Sequence, residues 1–238
     1  MIDRLQRSQI RTYLLDKKLP IDILMEVQDH FVSQISDLER DENLNFEEAF
    51  KKVKQSWQGE LKPYWDGGWD LLDKNNMTRK FERMLIWSSL RKSFKYALVT
   101  VAVLALVSQM ISLQFFTWFF LVAVVGIVLW PVINLFRRWK TFMLPKKYDE
   151  YVLTLYQSFN FINFVFANSF YLVISGYRAG ASQFANFFIT FEFNANLLAV
   201  VIYFSIISIS FFALVSQQEY LKRIEKIQPF LKYLQPSS

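Results

Sequence analysis

Apolar residues along this chain follow two regimes. Up to about residue 95 they recur every three or four positions among charged ones, the mark of amphipathic helices. Beyond that point they come in long, nearly unbroken runs. In the first regime Leu5, Ile10, Tyr13 and Leu14 trace a helix that Asp3 can cap and that ends near Lys17. Pro20 restarts the chain. Leu24, Val27, Phe31, Ile35 and Leu38 then form one stripe on a second helix over 21–40. Asn45 followed by Glu48 spells a capping box, and Phe46, Ala49, Phe50, Val53 and Trp57 supply the buried face of a third helix. Three stripes of this kind bury one another, which predicts a three-helix domain over 1–61. About sixty residues make a marginal core, so docking or self-association is favoured.

In the second regime four runs reach the roughly 20 residues that a membrane-spanning helix needs: 96–113, 115–136, 151–175 and 197–216. Only Gln114 and its neighbours separate the first two, so they predict a tight hairpin. The expected fold class is all-α: an integral membrane protein with four transmembrane helices in two hairpins and an N-terminal cytosolic three-helix domain. The membrane domain covers 96–217. Between the parts, 62–78 reads as an aromatic linker, with Pro63 and Gly67-Gly68 as breakers and Tyr64, Trp65 and Trp69 either anchoring at the headgroups or packing on the helical domain. Residues 79–95 read as a basic interfacial helix. The phenylalanine-rich stretch 176–196 reads as an outer segment lying on the bilayer. Residues 218–238, with Leu221, Ile224 and Ile227 on one side, read as a cytosolic amphipathic tail broken near Pro229.

Composition supports this division. The chain is 53% hydrophobic and carries 25 Phe among 238 residues, too apolar for an ordinary soluble domain. Its net charge of +6 lies beside the apolar runs, a placement that orients a membrane protein and meets lipid, not nucleic acid. Arg79, Lys80, Arg83, Arg91, Lys92 and Lys95 precede the first run. Arg137, Arg138, Lys140, Lys146 and Lys147 lie between the second and third, and Lys222, Arg223, Lys226 and Lys232 follow the fourth. On the other side only Arg178 stands. Both termini are therefore expected in the cytoplasm of a bacterial inner-membrane protein. The charged start over 1–11 does not read as a cleavable signal, so the first run serves as an uncleaved anchor. There is no cysteine, which excludes disulfides, thiolate nucleophiles and cysteine-ligated metals.

The four runs hold no Asp, Glu, His, Lys or Arg, which argues against a proton relay, haem ligation by histidine or an intramembrane protease. On a continuous helix Gln157, Asn160, Asn168, Tyr171 and Ser175 share about a third of the circumference. Such a stripe avoids lipid; it either lines a pathway or binds the helix to its neighbours by hydrogen bonds. Ser205, Ser208 and Ser216 form a matching strip on the fourth run. Pro131 is expected to free the carbonyl of Ile127 and kink its helix. The G-x-x-x-G of 176–180 holds Arg178 and lies at a run's end, so it is discounted as a dimer motif.

One other stretch carries candidate chemistry, 22–31, "DILMEVQDHF", with the only histidine of the chain. Asp22, Glu26, Asp29 and His30 fall on a broad face beside the apolar stripe; the three carboxylates are expected to face water, and His30, at the edge of the stripe, to pack part of its ring on the Phe31 side and bond Glu26 or a helix-end carbonyl. A single histidine is a poor start for a metal centre, so no catalytic, cofactor or metal site is assigned. The four residues form a candidate partner-binding face.

The N-terminal region resembles the HAAS-type, permease-prefix-like helical domains of bacterial membrane proteins. The residues that carry the resemblance are Leu14, Pro20, Glu26, Asp29, His30, Phe46, Glu47, Glu48 and Ala49, about a quarter of the chain being covered. It implies a non-catalytic cytosolic interaction or sensing domain. Two readings follow: a non-enzymatic interaction module on a membrane anchor, with a protein partner or a second copy, or a small channel or permease subunit conducting along the amide stripe. The lipid bilayer is a partner in both, and no cofactor is expected.

Overall fold

A computed structural model describes residues 2–65, 74–159, 167–191 and 195–235; the side chains of 167–172 are outside the description. The structure is 85% helical, so its cores are built helix against helix. The elements in order are α1 (Arg4–Leu15), α2 (Ile21–Asp41), α3 (Phe46–Ser56), α4 (Gln58–Leu61), β1 (Pro63–Tyr64), β2 (Lys74–Asn75), α5 (Asn76–Met110), α6 (Leu113–Arg137), α7 (Trp139–Phe142), α8 (Leu144–Lys147), α9 (Ala167–Thr190) and α10 (Ala195–Ile227). Short 3₁₀ turns cover Leu155–Phe159 and Gln228–Tyr233. The chain divides into two compact units. One comprises Met1–Leu85, Met143–Gln157 and Lys222–Ser238; the other comprises Ile86–Phe142 and Ser158–Leu221.

In the first unit, capping boxes start two of the helices. Gln6 N–H donates to Asp3 Oδ1 at 2.7 Å and Asp3 N–H to Gln6 Oε1 at 2.8 Å. Asn45 and Glu48 do the same for α3 at 3.0 and 3.3 Å. The stripe residues Leu24, Val27, Phe31 and Ile35 are buried. Phe31 stands at the centre, with ring centroids 6.0 Å from Tyr13 and 5.4 Å from Trp57, while Phe50 meets Tyr13 edge-on at 5.8 Å.

The unit is larger than residues 1–61. Residues 62–65 and 74–78 are not a free linker: β1 and β2 pair antiparallel, Pro63 against Asn75, and Arg79 donates to the Tyr64 carbonyl at 2.7 Å. Gly67, Gly68 and Trp69 lie outside the described residues. The tail expected as a separate amphipathic segment instead buries Ile224, Ile227, Phe230 and Leu234 in this unit. There the Arg11 guanidinium sits 3.6 Å from the Tyr233 ring centroid.

The second unit shows what its runs of apolar residues are for. Among the described residues three helices, α5, α6 and α10, are long and apolar enough to cross a membrane, and only 22% of the apolar window of α6 is buried. The outward faces of these helices are themselves apolar: Val99, Val103, Leu106, Val122, Trp130 and Val201 are all exposed. A surface of that kind requires lipid, so the chain is a membrane protein. The inner faces meet at Phe120, which lies 5.1 Å from Phe184 and 4.7 Å, edge-on, from Tyr203.

The boundaries differ from the expected ones in instructive ways. The first hairpin turns at Ile111-Ser112, with Ser112 extended and Gln114 inside α6. Residues 79–95 are not a separate surface helix but part of α5, whose 35 residues extend about 52 Å against a hydrocarbon core of about 30 Å. The span expected over 151–175 is not α-helical at its start, where 152–154 are non-helical and 155–159 form a 3₁₀ turn, and the α-helix over Ala167–Thr190 extends into what was expected to be an outer loop. Arg178, Gln183 and Asn186 lower its apolarity, and it is not among the three spanning candidates. α6 runs unbroken through Pro131. The carbonyl of Pro131 accepts from the Gln217 amide at 3.1 Å, and Gln217, fully buried, accepts from Asn134 Nδ2 at 2.9 Å. This polar clamp ties α6 to α10 where the apolar runs end.

Gly180 and Gly176 make a test of close packing. A Cβ on Gly180 would stand 2.3 Å from Tyr203 Oη, and the Tyr203 ring is held by Phe120; around Gly176 there is open space. Gly180→Ala is expected to cost about 1–3 kcal/mol by overpacking, partly restored by adding Tyr203→Leu. Gly176→Ala is expected to leave the thermal melt of the purified protein unchanged. Equal melts for both variants would contradict this packing.

Candidate functional site

The site begins with an uncapped helix. Pro20, the N-cap of α2, has no side-chain hydrogen bond to offer, yet the first N–H groups of a helix need acceptors. They find them in the non-helical segment before the 3₁₀ turn: Ile21 N–H donates to the Val152 carbonyl at 2.8 Å and Asp22 N–H to the Leu153 carbonyl at 3.4 Å. That segment stays extended because its polar groups bond locally. Gln157 Oε1 accepts from Leu153 N–H at 3.0 Å, and Thr154 Oγ1 accepts from Tyr156 N–H at 3.1 Å.

With this cover in place the whole first turn of α2, Ile21 to Leu24, is buried. Asp22 is 1% exposed, the reverse of its expected water-facing position. Its Oδ2 pairs with Arg223 Nη1 at 2.7 Å and its Oδ1 accepts from Ile23 N–H at 3.0 Å. The Arg223 guanidinium also lies 5.4 Å from the Tyr156 ring centroid. One turn on, Glu26 is half-buried and pairs with Lys226 at 3.2 Å. Two of the four expected partner-binding residues are thus occupied within the unit. Asp29 and His30 are exposed, and the imidazole of His30 lies 6.4 Å from the Trp57 ring, not against Glu26.

Burial pushes the Asp22 carboxyl above its ordinary value of 3.8, against the opposing pull of Arg223 and the Ile23 N–H. The protonated form is therefore favoured more in the folded unit than in the unfolded chain. The stability this group contributes is complete below 3.8 and is lost as pH rises through the raised folded-state value.

The expected amide stripe does not assemble as drawn. Gln157 belongs to the first unit, where it caps Leu153. Ser175 is exposed on α9 in the second unit. Asn160 lies outside the described residues, as do the side chains of Asn168 and Tyr171. The stripe assumed one continuous helix, and Gln157 stands instead in the 3₁₀ turn. On α9 a different exposed polar set takes its place: Ser175, Arg178 and Asn186, with Ser182 half-buried among them, all three or four residues apart. The serine strip of α10 also divides. Ser205 is exposed and donates to the Val201 carbonyl, whereas Ser208 and Ser216 hold buried hydroxyls with no partner among the described residues.

Arg223, Lys226 and the 152–153 carbonyls were missed as parts of the site. Two signals pointed to them. Asp22 stands between Ile21 and Ile23 and before Leu24, so its turn has no polar side to face water. Arg223 and Lys226, three residues apart, also share one helix face as Asp22 and Glu26, four apart, do. Among the described residues no group of three His, Asp or Glu side chains is close enough to hold a metal ion. Comparison with protein-family models, with curated proteins and with solved structures finds no match to this chain.

Removing either partner of the buried pair has unequal consequences. Arg223→Met strands a buried carboxylate and is expected to cost about 3–5 kcal/mol. Asp22→Asn keeps the acceptor for Ile23, and Arg223, 25% exposed, reaches water, so the loss near neutral pH is expected to be small. The double variant is expected to recover most of the Arg223→Met loss, and Asp22→Asn to flatten the pH dependence between 3.8 and neutrality. Thermal melts over a pH series check both. Equal losses from the two single variants would contradict the assignment.

Proposed function

We propose that the chain is a four-span bacterial inner-membrane protein with both termini in the cytoplasm, whose first unit is a non-enzymatic interaction or regulatory module. The observation that carries the topology is the make-up of that unit. It gathers residues from before the apolar half of α5, from between α6 and α9, and from the last turns of α10 onward. A charged, compact unit does not straddle hydrocarbon, so each excursion of the chain from it crosses the membrane an even number of times. The first excursion holds α5 and α6. The second holds α10 and needs one more crossing, for which α9, with 24 residues and about 36 Å, has the length. The basic residues flanking these excursions support the same sidedness.

The module reading rests on the pairing within the acidic helix. Arg223 and Lys226 neutralise Asp22 and Glu26, which removes them as free acids or bases and leaves Asp29 and His30 as the open face. The resemblance to HAAS-type domains supports an interaction or sensing role for it. A second reading, a self-associating channel or permease subunit, is favoured by the exposed polar set of α9: Arg178 stands in mid-helix, and such a face avoids lipid by meeting another copy or water.

The cysteine-free chain makes the topology directly testable. Single cysteines at Arg4, Lys147 and Ser238 are expected to be shielded from an impermeant maleimide in intact cells, and Ser112→Cys to be labelled. Labelling of Lys147→Cys or Ser238→Cys from outside overturns four spans. For the module, a photo-cross-linking residue in place of His30 is expected to give a discrete protein adduct in native membranes; the absence of any adduct counts against it. For the second reading, Ser182→Cys is expected to form a disulfide-linked dimer under oxidation, and a monomer only would count against it.

A further inference from the structure

Within the second unit an open groove of about 590 Å³ lies between α5 and α10. Trp87, Leu90 and Phe94 line it from α5, and Ile209 and Phe212 from α10. It exists because aromatic rings space the two helices: Phe94 meets Phe204 at 5.1 Å and Tyr96 meets Phe211 at 5.6 Å. Small residues keep the α5 side shallow, since buried Ser93 bonds back to the carbonyl of Ser89.

Three features distinguish the groove from the bare lipid-facing surface around it. Arg91 and Lys95 line it, exposed and one turn apart, and among the described residues neither has a carboxylate partner. Lys92 between them does, pairing with Glu219 at 2.9 Å. Two like charges one turn apart repel, so an anion is the natural complement. Ser208 also lines the groove, and among the described residues its buried Oγ has no partner, whereas Ser205 and Ser210 donate to carbonyls one turn back. Depth agrees: counting about 20 residues back from the end of α5 at Met110 puts the bilayer edge near Arg91. The cations therefore stand at headgroup level, with the apolar lining beside them.

We infer that this groove seats one anionic phospholipid, its phosphodiester held between the Arg91 guanidinium and the Lys95 ammonium and an acyl chain lying along Phe94, Ile209 and Phe212. A guanidinium grips phosphate oxygens through two parallel N–H bonds. The inference rests on the four-span reading for its depth.

The test is native mass spectrometry of the full-length protein in detergent, with phosphatidylglycerol and phosphatidylcholine of identical acyl chains. One retained lipid per chain is expected, with phosphatidylglycerol favoured by about thirtyfold, the effect of two interfacial cations. Arg91→Gln with Lys95→Gln is expected to bring that preference close to one while leaving residual lipid bound. Ser208→Phe, which fills the groove, is expected to lose both lipids, and Ile209→Trp serves where Ser208→Phe lowers the melting temperature. Inorganic phosphate is expected not to displace the lipid. Equal binding of the two lipids by the unaltered chain, or an undiminished preference in the double variant, overturns the inference. Failure of the topology shows separately, in the maleimide labelling.

Discussion

The first turn of α2 is the constraint on which the rest depends. A helix that opens after Pro20 has donors with no cap and, at Asp22, a carboxylate with apolar residues on both sides. The two needs are met by residues distant in sequence: carbonyls of Val152 and Leu153 for the donors, and Arg223 for the charge. Meeting them gathers the start, middle and end of the chain into one unit. The 3₁₀ turn at Leu155–Phe159, the burial of Ile224 and Ile227, and the neutralisation of Glu26 by Lys226 are all found around that junction. A buried carboxylate is a costly element for a small core. Here it couples the helical fold to segments that flank the membrane helices.

The second unit obeys a different solvent. Its helices keep their exposed faces apolar and bring their polar groups together near the ends, as in the clamp of Gln217, Asn134 and the Pro131 carbonyl. Beside it the Tyr220 hydroxyl donates to the Thr141 carbonyl at 2.9 Å, and its ring stacks on Phe142. Hydroxyls within the helices mostly satisfy themselves one turn back, as Ser93, Ser205 and Ser210 do. The departures from that habit, the unpaired Ser208 and the exposed polar set of α9, are where ligand or partner chemistry is to be sought.

Much of this was legible in the linear pattern, and the misses share one cause. The capping boxes at Asp3 and Asn45, the α2 stripe and the apolar runs of α6 and α10 are local properties, set within a few turns by propensity and periodicity. The start of the 151–175 run was misread because its hydropathy is that of a spanning helix, while Thr154 and Gln157 offer the backbone a non-helical arrangement that distant N–H groups from α2 make worthwhile. Asp22 was misread for the same reason, since helical periodicity placed it beside the stripe without knowing that a second stripe would cover it.

What the sequence determined by itself is the helical character, the division into charged and apolar regions and the presence of membrane-crossing helices, because each follows from composition and spacing over one or two turns. What only the tertiary structure decided is which side of α2 is buried, that 152–159 leave the α-helix, and that Arg223 and Lys226 complete the acidic face. Those depend on pairings across 200 residues. A one-dimensional pattern does not encode the partner of a buried donor or charge. It encodes only that a partner is required.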